Sequence, residues 1–255
     1  MKISYLIPGP MGRTDEGKVE MERRRGLLEE YAAPGTEIGV EDVPTGPASI
    51  ESMYEEYLSI PATVERTLEL EQDNWDAIVL GCYGDPGLDA FRELLSIPIV
   101  GPGEATALIA ASLGHRFSII TVTDSVVAFT ERQIWNCGVG EKLASVRAVN
   151  IPVLELHENR AKAIAATVEI GQIAIDEERA DTLIVGCMSM GFLGIAEAAS
   201  EKLGVPVLNP SKVALKYAEA LVGSGLTHSR KAYMLPPKLA SGKAGSALDL
   251  LKGKA

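Results

Sequence analysis

Two cysteines stand at matching places in two parts of this chain. The segment Asp76-Ala77-Ile78-Val79-Leu80-Gly81-Cys82 returns as Asp181-Thr182-Leu183-Ile184-Val185-Gly186-Cys187. Asp, Gly and Cys keep their positions around four apolar or β-branched residues. A free thiol titrates near ~8.5, and a helix N-terminus lowers that value, so either cysteine could serve as a base or an acid near neutrality. Two such groups on opposite faces of one carbon suit stereoinversion. A thiolate takes the proton from one face and a thiol returns one to the other, with the roles exchanged in the reverse direction. The enolate between them needs donors at its oxygens. Backbone N–H groups beyond each cysteine, with the hydroxyls of Thr123, Ser125 and Ser189, are candidates. A single cysteine reads most simply as a small buried hydrophobe; the repeat lifts this pair above that reading.

Elements that would hold these thiols follow from the pattern. Each apolar run reads as a buried parallel strand ending in glycine, with the cysteine at the strand's carboxyl end, where open α/β sheets place ligands. Asp85-Pro86 reads as the start of a helix, Asp as N-cap and Pro at the first position. After each cysteine comes a helical stretch and then a short strand, Ile97 to Val100 and Val205 to Leu208. Two matching segments in one order indicate an internal duplication. Strands and helices alternate throughout. The expected fold is α/β: two similar parallel-sheet domains, residues 1–114 and 115–209, related by a pseudo-twofold axis with the site in the cleft between them. The helix 211–222 could pack back on the first domain, which the sequence leaves open, and residues 238–255, rich in Lys, Gly, Ala and Ser, read as a mobile tail.

Composition narrows the function further. The 255 residues carry a net charge of −11, with no basic run interleaved with aromatics, which argues against nucleic acid and anionic membrane as partners. No run approaches the ~18 apolar residues of a membrane span, and the N-terminus reads as a strand rather than a signal peptide. Three cysteines without a CxxC spacing fit a reducing cytoplasm. His115, His157 and His228 are scattered, so no metal site is expected. Gly101-Pro102-Gly103 lacks the GxGxxG pattern, and no G-x-S-x-G occurs. Arg23-Arg24-Arg25, flanked by Glu20, Glu22, Glu29 and Glu30, reads as a solvated face of ion pairs in the helix Thr14 to Tyr31. Ser52-x-x-Glu55 is a possible capping box. Tyr54 and Tyr57 follow it in a stretch, 44–61, that could form a loop or short helix over a site; a helix is expected from Ala62 to Asn74. Cys137 has no counterpart in the first half and reads as structural.

These residues carry a resemblance. Cys82-Tyr83-Gly84-Asp85-Pro86-Gly87-Leu88-Asp89 is similar to the first cysteine motif of the hydantoin racemase branch of the aspartate/glutamate racemase superfamily. Gly101-Pro102-Gly103-Glu104-Ala105 resembles that branch's glycine-glutamate motif, and Gly186-Cys187-Met188-Ser189-Met190 stands where the family has its second cysteine. The resemblance spans about residues 1–237. It implies a cofactor-independent racemase of 5-substituted hydantoins, with Cys82 and Cys187 as the acid–base pair, and a homo-oligomer. Pro8, Gly9, Tyr83, Gly84, Met188 and Ser189 join Thr123 and Ser125 as expected substrate contacts. Two departures concern the pocket: Pro8-Gly9-Pro10 replaces Asn-Pro-Asn, and Met188 and Met190 are bulky. Allantoin or an amino acid are alternative substrates; the missing His beside Cys187 argues against glutamate. Maleate-type isomerisation, malonate-type decarboxylation and non-catalytic binding of a small molecule are the other readings. Asp85, as a cap beyond Cys82, would oppose its thiolate, whereas Ser189 beyond Cys187 is neutral, so Cys187 is expected to ionise at the lower pH.

Overall fold

The repeated Asp of the two matching segments starts each strand in register with its neighbour. Asp76 accepts the Lys2 N–H at 2.7 Å, and Asp181 accepts those of His115 at 2.7 Å and Arg116 at 3.2 Å. The computed structural model describes residues 1–242. In its first half, β1 (Lys2–Ile7) is followed by α1 (Asp15–Tyr31), β2 (Glu37–Asp42), α2 (Met53–Gln72), β3 (Ala77–Leu80), α3 (Leu88–Leu94), β4 (Ile99–Val100) and α4 (Pro102–Leu113). The second half runs β5 (Phe117–Thr121), α5 (Val127–Asn136), β6 (Leu143–Ala148), α6 (Arg160–Glu178), β7 (Thr182–Val185), α7 (Met188–Phe192), α8 (Ile195–Leu203), β8 (Val207–Leu208), α9 (Pro210–Gly223) and α10 (Pro237–Ala240).

The strands form two four-stranded sheets in the same order, β2-β1-β3-β4 and β6-β5-β7-β8, and every pairing is parallel. β3 and β7 are buried at all four positions. Strands covered on both faces need helical crossovers, which is why apolar runs alternate with helices along the chain. The α/β expectation with two similar sheets holds.

Local boundaries differ from expectation in four places. α2 starts at Met53 and takes in the segment ending at Pro61. Ser52 caps it, accepting the Glu55 N–H at 3.3 Å. Pro61 faces solvent inside the helix, so water can serve the carbonyl it leaves unpaired. Asp85-Pro86 does not start a helix: Asp85 has φ +53°, Gly87 has φ +74°, and α3 begins at Leu88. The run Ser145 to Val153 reads in the sequence as a strand broken at Pro152, but β6 ends earlier, at Ala148. Beyond Cys187 the expected single helix is broken into α7 and α8 at Gly194, with φ +67°.

The helices that close each half cross over. Ala107 and Ala110 of α4 pack with Phe117, Ile119 and Ile184 of the second sheet. Ala214, Leu215 and Ala218 of α9 pack with Ile3, Tyr5 and Val79 of the first. The division at 114/115 therefore separates the sheets but not the packing. After α9 the chain returns to the free edge of β4. There the Ile99 N–H donates to His228 Nε2 at 2.9 Å, and Arg230 donates to the carbonyl of Glu93 at 2.8 Å. Of the expected tail, residues 243–255 lie outside the described residues. No helix among the described residues is long and apolar enough to cross a membrane.

Candidate active site

Each cysteine leaves its sheet through a glycine that nothing larger could replace. The Gly81 N–H extends the ladder to Leu6 O at 2.7 Å, and the Gly186 N–H to Ile120 O at 2.8 Å. A Cβ on Gly81 would lie 2.6 Å from Leu6 O, and one on Gly186 2.7 Å from Ile119 Cγ2. The next residue in each case is delivered off the strand's carboxyl end. Cys82 and Cys187 thereby line one cavity of about 110 Å³, with the ends of β1 and β5 forming further walls. This volume is somewhat smaller than the roughly 150 Å³ of a cavity that holds benzene.

The two thiols meet different surroundings. Burial pushes Cys82 far above the usual thiol value. Only the Gly84 N–H opposes this, while Cys187, Asp85 and Glu56 add to it. Burial also raises Cys187, but the N–H groups of Met190 and Ser189 and the Arg24 guanidinium all favour its thiolate. The asymmetry has the expected direction and partly different causes. Asp85 caps α4 instead of its own segment, accepting the N–H groups of Gly103 at 2.9 Å and Glu104 at 2.7 Å, with Gln133 Nε2 at 3.0 Å. Burial nevertheless raises its carboxyl to about 7. Ser189 is not a cap either: Cys187 is the residue preceding α7, and Ser189 Oγ accepts from Arg24 Nη2 at 3.1 Å.

Pro8, Gly9, Tyr83, Gly84, Met188 and Ser189 gather with both cysteines around the cavity. Tyr83 turns its ring away into the second core, where its hydroxyl has no partner, and its carbonyl accepts Gln133 Nε2 at 2.8 Å. Thr123 and Ser125, expected as donors in the cleft, are not part of its lining. β5 ends at Thr121, and the following turn carries their hydroxyls past the cavity; they pair with each other at 2.9 Å, and Ser125 donates to Glu51 O at 2.7 Å. Thr121, Val122, Val126, Phe129 and Thr130 line that side instead. Tyr54 and Tyr57 project into solvent; the segment ahead of α2, including Pro47, Ala48 and Ile50, is what bounds the cavity.

The expectation of a fully solvated Arg23-Arg24-Arg25 face is corrected at its centre. Arg24 is 5% exposed and lines the cavity. Its Nε donates to Glu20 at 2.8 Å, and its guanidinium lies 4.9 Å above the centre of the Phe192 ring. Burial would raise the Glu20 carboxyl, yet hydrogen bonds from Arg23 and Arg24 hold it below its ordinary value. Tyr5, from the middle of β1, lies beside Arg24 and gives its hydroxyl to Gly81 O at 3.4 Å. Neither residue carries a sequence signal beyond its neighbours. Glu56 sits behind Gly84, 8% exposed, with Oε2 unpartnered and its carboxyl raised by burial to about 7 despite Arg132. Among the described residues no three His, Cys, Asp or Glu side chains gather as a metal-binding group.

Comparison with known proteins bears on this arrangement. A family model described as Asp/Glu/hydantoin racemase matches residues 22–218. A hydantoin racemase of Paenarthrobacter aurescens is 33% identical over 231 residues, 90% of this chain and 94% of that protein. One from Pseudomonas sp. (strain NS671) is 35% identical over 194 residues, 76% of this chain and 77% of its own length. The crystal structure of an allantoin racemase from Pseudomonas fluorescens superposes with a TM-score of 0.85 at 32% identity, covering 92% of this chain and 97% of that one.

Proposed function

The chain belongs to the Asp/Glu/hydantoin racemase family, and from that premise we propose that it racemises 5-substituted hydantoins through Cys82 and Cys187. The observation that carries this reading is the pair of thiols, delivered by equivalent strands of two like sheets into one small cavity. One sulfur, as thiolate, takes the proton from C5. The other, as thiol, gives its proton to the opposite face. The first sulfur ends protonated and the second does not, so atoms and charge balance without any electron carrier. C5 of a hydantoin lies next to the C4 carbonyl, and the electron pair left by the proton is delocalised onto that oxygen. Burial raises both thiols, and Cys187, with two N–H groups and Arg24 favouring its thiolate, is the more readily ionised of the two and takes the role of base at the start of the cycle, with Cys82 as acid.

Val122, Val126, Phe129 and Val153 make one wall apolar. That wall suits a hydrocarbon substituent at C5 better than a charged one, which argues against the acidic amino acids aspartate and glutamate. Allantoin, a hydantoin with a ureido group at C5, falls in the same chemical class and belongs in the test. Single enantiomers of 5-benzylhydantoin, 5-isobutylhydantoin, allantoin and aspartate, incubated in D2O, should separate the cases. The hydantoins should lose their C5–H proton signal together with optical rotation, faster than without enzyme, and aspartate should not. No enzyme-dependent exchange on any hydantoin would overturn the reading.

A further inference from the structure

Arg24 is a charged side chain with unspent hydrogen-bonding capacity on the wall of an otherwise mostly apolar cavity. A guanidinium carries five N–H donors. Glu20 takes one at 2.8 Å and Ser189 another at 3.1 Å. The guanidinium lies over the Phe192 ring, and Ser189 ties it to the turn that carries Cys187. Arg23 shares Glu20, donating to both of its oxygens at 2.7 and 2.8 Å, so two arginines face one carboxylate and the cluster keeps a net positive charge. Glu20 and Ser189 offset the cost of burying this charge while leaving other N–H groups of the guanidinium uncommitted. Fixed donors in a water-poor site act most strongly on charge that develops during the reaction.

Resting on the racemase reading above, we propose that Arg24 is a further catalytic residue: its free N–H groups bind the substrate carbonyl oxygen next to the reacting carbon and stabilise the enolate formed when the proton leaves. The geometry behind this is the position of the guanidinium on the cavity wall beside Cys187, where a carbon within reach of that sulfur brings its neighbouring carbonyl toward α1. The substrate class this selects is a carbon acid whose acidic C–H adjoins a carbonyl; a C–H acidified by other means gains nothing from Arg24.

The test uses the full chain and reads C5–H exchange of 5-benzylhydantoin in D2O across pH. Arg24→Met should lower kcat about 10²-fold, the size of effect seen when one oxyanion donor is lost, with little change in KM. Arg24→Lys should keep part of the rate, and added guanidinium ion should restore part of the rate to Arg24→Met. Arg24 also favours the Cys187 thiolate, and the pH profile separates the two effects. The deficit of Arg24→Met should persist at pH values where Cys187 is already ionised. A deficit that disappears there, or an exchange rate like that of the wild type, overturns the proposal. If Arg24→Met fails to fold, Arg24→Lys decides alone, a rate within twofold of wild type counting against it. Wild-type protein that exchanges no hydantoin removes the racemase reading and this proposal together, whereas an active wild type with an equally active Arg24→Met removes only the proposal.

Discussion

Cys82 and Cys187 are chemically alike and electrostatically different, and the difference is measurable. Iodoacetamide alkylation against pH, followed on each single-cysteine variant, should give the lower midpoint for Cys187. Alanine at either position should reduce racemisation by at least about 10³-fold, within the range ascribed to a positioned acid or base. The loss must be the same in kcat/KM for both enantiomers, because mirror images have equal free energy in water; only kcat and KM taken separately can differ. Glu56 gives a stability prediction. Its carboxyl is raised to about 7 in the fold, from 4.5, so it binds its proton more tightly folded than unfolded. Its contribution is complete below pH 4.5 and is lost as pH rises toward 7, an effect of at most about 3 kcal/mol. Urea unfolding should therefore show a shallower decline across this window in Glu56→Gln than in the wild type. The cysteines were legible in the sequence because their surroundings repeat. Arg24 was not: its charge pattern reports partners three and four residues away, whereas Ser189 lies 165 residues distant.

At the scale of elements, the Cys82 turn is held by a neighbouring helix end rather than by its own. Asp85 adopts a left-handed conformation so that its carboxyl reaches the first turn of α4. A Cβ on Gly103 would lie 2.3 Å from Tyr83 O, so that close approach requires glycine. Gly103→Ala should cost about 1–3 kcal/mol by urea unfolding, the usual range for overpacking, and should speed alkylation of Cys82 by loosening its turn. The free edge of β4 is a second such case. His228→Ala would leave the Ile99 N–H without its acceptor and should destabilise the fold by roughly 1–3 kcal/mol. Strands were the readable elements, since four buried positions in a row leave a clear apolar run. Helix ends were less so. Asp-Pro looked like a cap because the local rule sees only the next few residues, and Pro61 looked like a boundary because burial, absent from the sequence, decides whether water can serve the freed carbonyl.

On the scale of the whole molecule, the repeat made two like sheets readable, while the exchange of helices was only half visible: the packing of α9 on the first half was open in the sequence, and that of α4 on the second gave no sign. An alanine-rich face such as Ala105 to Ala110 says that a helix packs closely, not which sheet it packs on. With α4 and α9 each buried in the other half, neither sheet can unfold without uncovering the other. Tryptophan fluorescence and far-ultraviolet circular dichroism should therefore report one coincident urea transition. The same crossing makes the two halves a clasp whose only covalent join is the short link at Gly114-His115. A chain cut there would give two pieces, each lacking a helix that the other carries. Residues 1–114 and 115–255, produced apart, should be insoluble or unfolded, and mixing them during refolding should return a single species with hydantoin exchange activity. Two pieces that each fold alone would show that the clasp is ornamental.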